Sequence, residues 1–349
     1  MGPTIKWLVS TSSILLLGFL FSNLQNIQDV TQLPGYTIFV HTLLAIGLYG
    51  SVYNISIREF GSNLLIVVQA ITIGVFFKIL FIGGFFYVFT SNPVALLLGV
   101  TVAQIDPLSV ARLLNNEETR LSKNAQTILG AWASFDDPVT VLASIYFLGI
   151  IVAPAQGVPL AYSGTGITEY VNSLALNLLL AAGIYFLYRL SGSSKYILYL
   201  LLFISMILAI SFHLFLAIAI IGLFIRPKMQ EVLSSLVKTS LYTSLFVLGL
   251  LMGEGIAVIQ GLVLAVAAIL AQVTAGFLVV GTLSRKDRFH LAFSQQNGIT
   301  AIILALLFEQ TLPGIVAVVA PGIFFINIGH VLLNLAVDTY LERTEHLHT

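Results

Sequence analysis

Apolar runs close to the length needed to cross a hydrocarbon core of ~30 Å recur along the whole chain. They predict spans over 5–22, 35–54, 62–88, 93–113, 124–151, 168–189, 195–211, 213–226, 233–252, 255–283, 288–308 and 312–338. The expectation is an all-α polytopic membrane protein with about twelve transmembrane helices. The boundary at Ser211-Phe212-His213 also admits one kinked element in place of two spans. The first run, beside Lys6, has the flank of a signal peptide, but no small-residue cleavage pattern follows it, so it reads as the first span. The tail after Asp338 is too short to fold alone.

Charge follows the same alternation. Lys6, Arg58, the group Arg112, Arg120 and Lys123, the pairs Arg189 and Lys195 and Arg226 and Lys228, the group Arg285, Lys286 and Arg288, and finally Arg343 fall in every second connection. The connections between them carry Asp29, Glu169, Glu254 and Glu309 and no basic residue. By the positive-inside rule both termini face the cytoplasm, and the expected location is the plasma (inner) membrane. Composition agrees: 58% of the 349 residues are hydrophobic and 9% charged, far below the about 25% of a soluble domain. Net charge is zero, which gives no footprint for a nucleic-acid partner, and the absence of cysteine excludes thiolate metal sites. No cofactor is expected.

Against this apolar background, Asp136 and Asp137 fall in the middle of the fifth span. At 1.5 Å per residue, Asp137 lies ~20 Å from the start of that span, near the midplane. One ionised carboxylate there costs at least about 2.5 kcal/mol, and two adjacent ones burden each other further. The expected role is an ion or proton site able to hold either a proton or a hard monovalent cation. Neighbours on a helix point about 100° apart, so the two need not face one cavity. A pair tied up by a buried Lys or Arg is the bland reading, and bases at membrane depth are scarce.

Two other spans carry breaks. Thr101-Val102-Ala103-Gln104-Ile105-Asp106-Pro107 places a proline inside the fourth span, with Asp106 suited to cap a restarted helix. Ser294-Gln295-Gln296-Asn297-Gly298-Ile299-Thr300 puts amides and a glycine in the middle of the eleventh. A proline kink and a polar packing seam are the bland alternatives. Freed backbone at that depth is tolerated only where it is buried or lines a cavity. Spans three to five and ten to twelve run in opposite directions, each triplet with a broken helix in its middle, which is the pattern of inverted repeats. The expected organisation is a single membrane domain, 1–349, with core repeats over 62–151 and 255–338 and scaffold helices over 5–54 and 168–252.

Taken together these stretches resemble the monovalent cation:proton antiporter superfamily, the sodium/proton exchangers. Gln104-Ile105-Asp106-Pro107-Leu108-Ser109-Val110 is similar to its Thr-Asp-Pro motif. Phe135-Asp136-Asp137-Pro138-Val139-Thr140-Val141 is similar to its Asn-Asp or Asp-Asp motif. Lys286-Asp287-Arg288-Phe289 with Asn297-Gly298-Ile299-Thr300-Ala301 is similar to the segment ending in Arg-Gly. The ordered set extends over roughly 35–335. The resemblance implies a homodimer in the lipid bilayer, crossed discontinuous helices, elevator-like alternating access, and Na+ (or Li+ or K+) exchanged for H+. It makes Asp137 the indispensable carboxylate, Asp136 its partner at the cation/proton site, and Asp106 the group that tunes the field. Thr101, Gln104, Gln295, Gln296 and Asn297 line the crossing.

The chain departs from the family at several positions. The double aspartate resembles the electrogenic branch, while the surrounding sequence looks more like the electroneutral one. The family's Lys or Arg of the tenth span is Gln272, its acid partner falls near Ala131–Trp132, and the Arg of Arg-Gly is Asn297. One base, Lys78, lies at membrane depth in the third span, at a depth similar to that of Gln272 in the tenth. It either supplies the missing charge near the crossing or snorkels to the outer interface. Asn327, His330, Asn334 and Asp338 share a helical face, read as polar groups packed against protein or a water-filled crevice. His330 has the ordinary pKa of a pH sensor, with a satisfied buried histidine as the bland reading, and His41 and His213 read the same way. The alternatives to antiport are a sodium-coupled organic-anion symporter on a related scaffold and a non-transporting membrane subunit. No enzymatic activity is expected.

Overall fold

The computed structural model describes residues 3–25, 27, 29–53, 64–92, 94–107, 110, 121–155, 165–190, 195–279 and 283–346. Arg58, Arg112, Arg120 and the side chains of Lys6, Glu169, Asp338 and Arg343 lie outside the described residues.

Each apolar run forms helix. In chain order these are α1 (Pro3–Gln25), α2 (Tyr36–Tyr53), α3 (Leu64–Gln69), α4 (Val75–Thr90), α5 (Ala95–Val102), α6 (Lys123–Ala155) and α7 (Thr165–Leu190). Then follow α8 (Lys195–Phe212), α9 (Phe215–Gly222), α10 (Gln230–Leu251), α11 (Val258–Val279), α12 (Arg285–Ala292), α13 (Ile299–Glu309) and α14 (Ile315–His346). A π-helical turn, Ala70–Gly74, joins α3 to α4 and precedes Lys78 by one turn. Among the described residues, eight helices are long and apolar enough to cross a membrane. The remaining predicted spans coincide with the two interrupted helices, with the eight-residue α9, and with α6. Helix α6 has the length, but it carries the aspartates.

The ambiguous boundary at 211–213 resolves into two helices. His213 adopts left-handed backbone at φ 57°, and the Leu214 N–H reaches back to the Ala209 carbonyl at 2.9 Å. That is a helix-ending cap in which glycine is the usual occupant.

Helix α1 runs along α10, and α2 contacts α9, α10 and α13. Helix α4 packs on α5 and α11, α11 on α14, and α5 and α7 on α6. The α1–α10 contact is backbone to backbone: a Cβ on Gly18 would overlap the Phe246 carbonyl, and one on Gly249 the Leu15 carbonyl. Small residues at such a seam let dispersion act between helices where lipid offers no hydrophobic drive. Outward faces of α1, α7 and α8 present Leu17, Leu24, Leu179, Phe186 and Phe203, all exposed, as a lipid-facing surface requires.

At one end of the molecule a single carboxylate joins two helix starts. Ser284 caps α12, accepting the Asp287 N–H. Asp287 accepts the Ser122 N–H at 3.0 Å and the Ser122 and Ser284 hydroxyls at 2.9 and 2.8 Å. Burial by itself would raise the Asp287 pKa, but the hydrogen bonds from Ser122 and Ser284 outweigh it and hold the group below the ordinary carboxylate range. A depressed folded pKa contributes stability above the unfolded value of about 3.9 and loses it as pH falls through the folded value. Asp287→Asn is therefore expected to lower the melting temperature at pH 7. Scans at decreasing pH should show the gap closing below about pH 4; a gap that persists there would contradict this assignment.

Candidate functional site

The two breaks face each other. Helix α5 ends at Val102, and the chain is non-helical to Asp106 before it turns again at Pro107. Helix α12 ends at Ala292, residues 294–298 are non-helical, and α13 begins at Ile299. The Asp106 N–H donates to the Gln296 carbonyl at 2.7 Å. The side-chain amide of Gln295 donates to the Val102 and Gln104 carbonyls at 2.9 and 3.1 Å, and that of Asn297 to the same two carbonyls at 3.1 Å each. Carbonyls freed when α5 stops are thus satisfied by amides exposed when α12 stops, as buried backbone requires. Gly298 lies against Asp106, so closely that a Cβ would overlap the carboxylate. Gln104 donates its own amide to the Thr101 carbonyl, and the Thr101 hydroxyl turns back to Leu97.

The last helix, α14, holds the second break in shape. Asn327 accepts the Asn297 N–H at 3.0 Å and donates to the Asn297 carbonyl at 3.1 Å. Asn334 donates to the Phe293 carbonyl at 3.0 Å, with His330 Nδ1 3.1 Å from the same oxygen. The shared face of Asn327, His330 and Asn334 was legible as a packing surface; its specific task as backbone partner to the break was not.

The aspartates separate, as neighbours on a helix must. Asp136 points toward α4 and the first break: Lys78 Nζ lies 2.9 Å from Oδ2, and the Ile105 N–H donates to the same oxygen at 3.2 Å. Lys78 is wholly buried and also donates to Gln272 Oε1 at 3.1 Å, while its ammonium stands 5.4 Å from the Trp132 ring centre. The side chain therefore does not reach an interface, and the snorkelling alternative does not describe it. The expectation that no buried base ties up the aspartates also needs correction for Asp136. Gln272 completes the join, donating to the Leu291 carbonyl at 3.0 Å and Ser294 Oγ at 3.3 Å.

Asp137 lies on a different side of α6, within electrostatic range of Asp106 and beside the Thr300 hydroxyl. Thr300 does not close a hydrogen bond to it, and neither carboxylate oxygen of Asp137 has a hydrogen-bond donor among the described residues. The Gln104 and Gln295 side-chain carbonyls are similarly without donors. Thr140 stiffens the turn below, its hydroxyl donating to the Asp136 and Asp137 carbonyls at 3.0 and 2.8 Å. Pro138 supplies no N–H to the helix at this point.

Three carboxylates and one ammonium in a buried region leave excess negative charge and acceptor oxygens without donors. Such a constellation suits a proton or a hard cation, either of which would neutralise Asp137. Gln296 contributes its backbone carbonyl to the crossing. Thr300, Ser294, Trp132 and Asn327 were absent from the predicted site; the polar run 294–300 contains two of them, but nothing in it indicates which side chains turn inward.

The family described as "Sodium/hydrogen exchanger, transmembrane" matches residues 5–342. No curated protein matches the sequence. Among solved structures, the chain is similar to the sodium proton antiporter MjNhaP1 from Methanocaldococcus jannaschii at pH 8, with 20% identity over 94% of this chain and 92% of that one and a TM-score of 0.71. An electron-microscopy structure of the same antiporter gives 21% identity, 95% and 90% coverage and a TM-score of 0.67. At this identity the likeness establishes a shared fold.

Proposed function

The chain belongs to the sodium/hydrogen exchanger family, and on that footing we propose that it exchanges Na+ for H+ through competition for Asp137. The observation that carries this is the pair of buried Asp137 oxygens without hydrogen-bond donors. A proton on Asp137, or Na+ held by Asp137 with nearby oxygens, neutralises the same charge, so binding one displaces the other. Asp106 strengthens the field, since it interacts electrostatically with Asp137. Asp136 and Lys78 form a neutral pair that orients the first break and takes the place of the charge the family carries where Gln272 stands.

In this reading the helices around the crossing, 62–151 and 255–338, form the moving core, and 5–54 with 168–252 form the scaffold, which also mediates a homodimer. With Asp137 neutralised the loaded site crosses the barrier; the empty site, carrying one more uncompensated charge, does not, because an unpaired charge in a dry environment is costly. Both termini face the cytoplasm, by the charge alternation of the connections.

The test is Na+-induced dequenching of a pH dye in proteoliposomes, with and without a valinomycin-set potential. Wild type should exchange, and Asp137→Asn should lose at least about 100-fold in rate, since loss of a carboxylate ligand exceeds loss of a supporting contact. Exchange that survives in Asp137→Asn would remove that residue from the site. No dequenching with Na+, Li+ or K+ in wild type would remove antiport itself.

A further inference from the structure

A cavity of about 680 Å³ separates α2, α7 and the α8–α9 junction from α6 and the end of α13. Two imidazoles stand in its wall. His41, on α2, is 6% exposed, and His213 is exposed at the left-handed junction residue. Their ring centres are 4.6 Å apart with an interplanar angle of 64°. Neither makes a hydrogen bond to any described residue, so they are not the satisfied core histidines expected from the sequence. Both rings also pack against Phe215, at 5.2 Å from His41 and 6.4 Å from His213, which holds the two imidazoles side by side at the cavity wall.

We propose that His41 and His213 form a binding site for a borderline transition-metal cation of the Zn2+ class, separate from the Asp137 site. Zinc holds imidazole nitrogen at about 2.0–2.1 Å, which places two rings on one tetrahedral ion with centres roughly 5 Å apart. The observed 4.6 Å is reached from there by small ring rotations. Among the described residues no third His, Cys, Asp or Glu joins the pair, so water in the cavity fills the remaining positions of a two-imidazole site. Na+ prefers oxygen donors, so the imidazole pair discriminates against the transported ion.

The position gives the ion a consequence. Across the cavity edge, Tyr36 donates its hydroxyl to the Leu306 carbonyl at 3.0 Å, and Thr37 pairs with Gln310, both contacts joining α2 to α13. An ion held by the two imidazoles ties α2 to the α8–α9 junction and, with its waters, fills the cavity beside α13, which slows any cycle in which α13 moves past α2. Binding stands on the imidazole chemistry alone; the inhibition rests on the proposed exchange.

Two measurements keep these apart. Zn2+ binding to purified protein, by competition with a chromophoric chelator, should show a site that His41→Gln and His213→Asn each weaken by at least the about 10–100-fold seen for loss of supporting partners. Asparagine tolerates left-handed backbone, so the second variant preserves the junction. His41→Cys should shift preference toward Cd2+, a softer ion than Zn2+. In proteoliposomes, Zn2+ should slow wild-type exchange reversibly with EDTA and spare His41→Gln. Zn2+ affinity unchanged in both imidazole variants, or no change of metal preference in His41→Cys, would overturn the site. Binding without inhibition would overturn only the consequence for exchange.

Discussion

Lys78→Gln is expected to unfold or inactivate the protein, and adding Gln272→Lys is expected to recover much of both losses. Lys78 and Asp136 are wholly buried and 2.9 Å apart. Removing one member of such a pair leaves an uncompensated charge, at a cost of about 3–5 kcal/mol. Gln272 Oε1 stands 3.1 Å from the Lys78 ammonium, so a lysine introduced at 272 delivers its charge to the same space from α11. Melting temperature and exchange rate should therefore both fall in the single variant and rise again in the double one. A second control, Lys78→Met with Asp136→Asn, removes both charges and should restore stability, because deleting a whole buried pair is far cheaper than deleting half. If Lys78→Gln alone melts and exchanges like wild type, the pair has no part in holding the site.

The second large effect belongs to Gly298→Ala. One methyl group there would overlap the Asp106 carboxylate. Asp106 cannot simply withdraw, since its N–H is bonded to the Gln296 carbonyl across the crossing. Overpacking of a close contact costs about 1–3 kcal/mol, and relief requires the two breaks to part. The expected result is a lower melting temperature with loss of exchange out of proportion to it. Gly84→Ala is the control: nothing lies within 4 Å of a Cβ at that position, so the variant should match wild type or exceed it. Equal behaviour of the two alanine variants would mean that the breaks do not need their close approach.

What the sequence disclosed was whatever has a one-dimensional signature. Long apolar runs announced membrane helices, Asp106-Pro107 announced a break, and the amides at 295–297 with Gly298 announced another. Depth along a helix could be counted, so Asp136 and Asp137 could be placed near the midplane and Lys78 at membrane depth. Direction around a helix could not be tied to a partner. Lys78 thus had two readings until α4, α6 and α11 were seen together, and its pairing with Asp136 emerged only from their neighbours. The last helix showed the spacing of Asn327, His330 and Asn334 but not the backbone they satisfy, because that backbone belongs to a break elsewhere in the chain. His41 and His213 are far apart in sequence; no local pattern links them. The end of α8 was ambiguous for a related reason: a histidine, not a glycine, occupies the left-handed position.

The central claim is that Na+ and a proton compete for Asp137. Its most direct test is proton release on adding Na+ to purified, weakly buffered protein across a pH series. Wild type should release protons, with apparent Na+ affinity weakening by about tenfold per pH unit wherever the competing group is protonated. Asp137→Asn should release none and bind no Na+, while Asp136→Asn with Lys78→Met should still show the competition. Na+ binding without proton release, or release that persists in Asp137→Asn, would contradict the account.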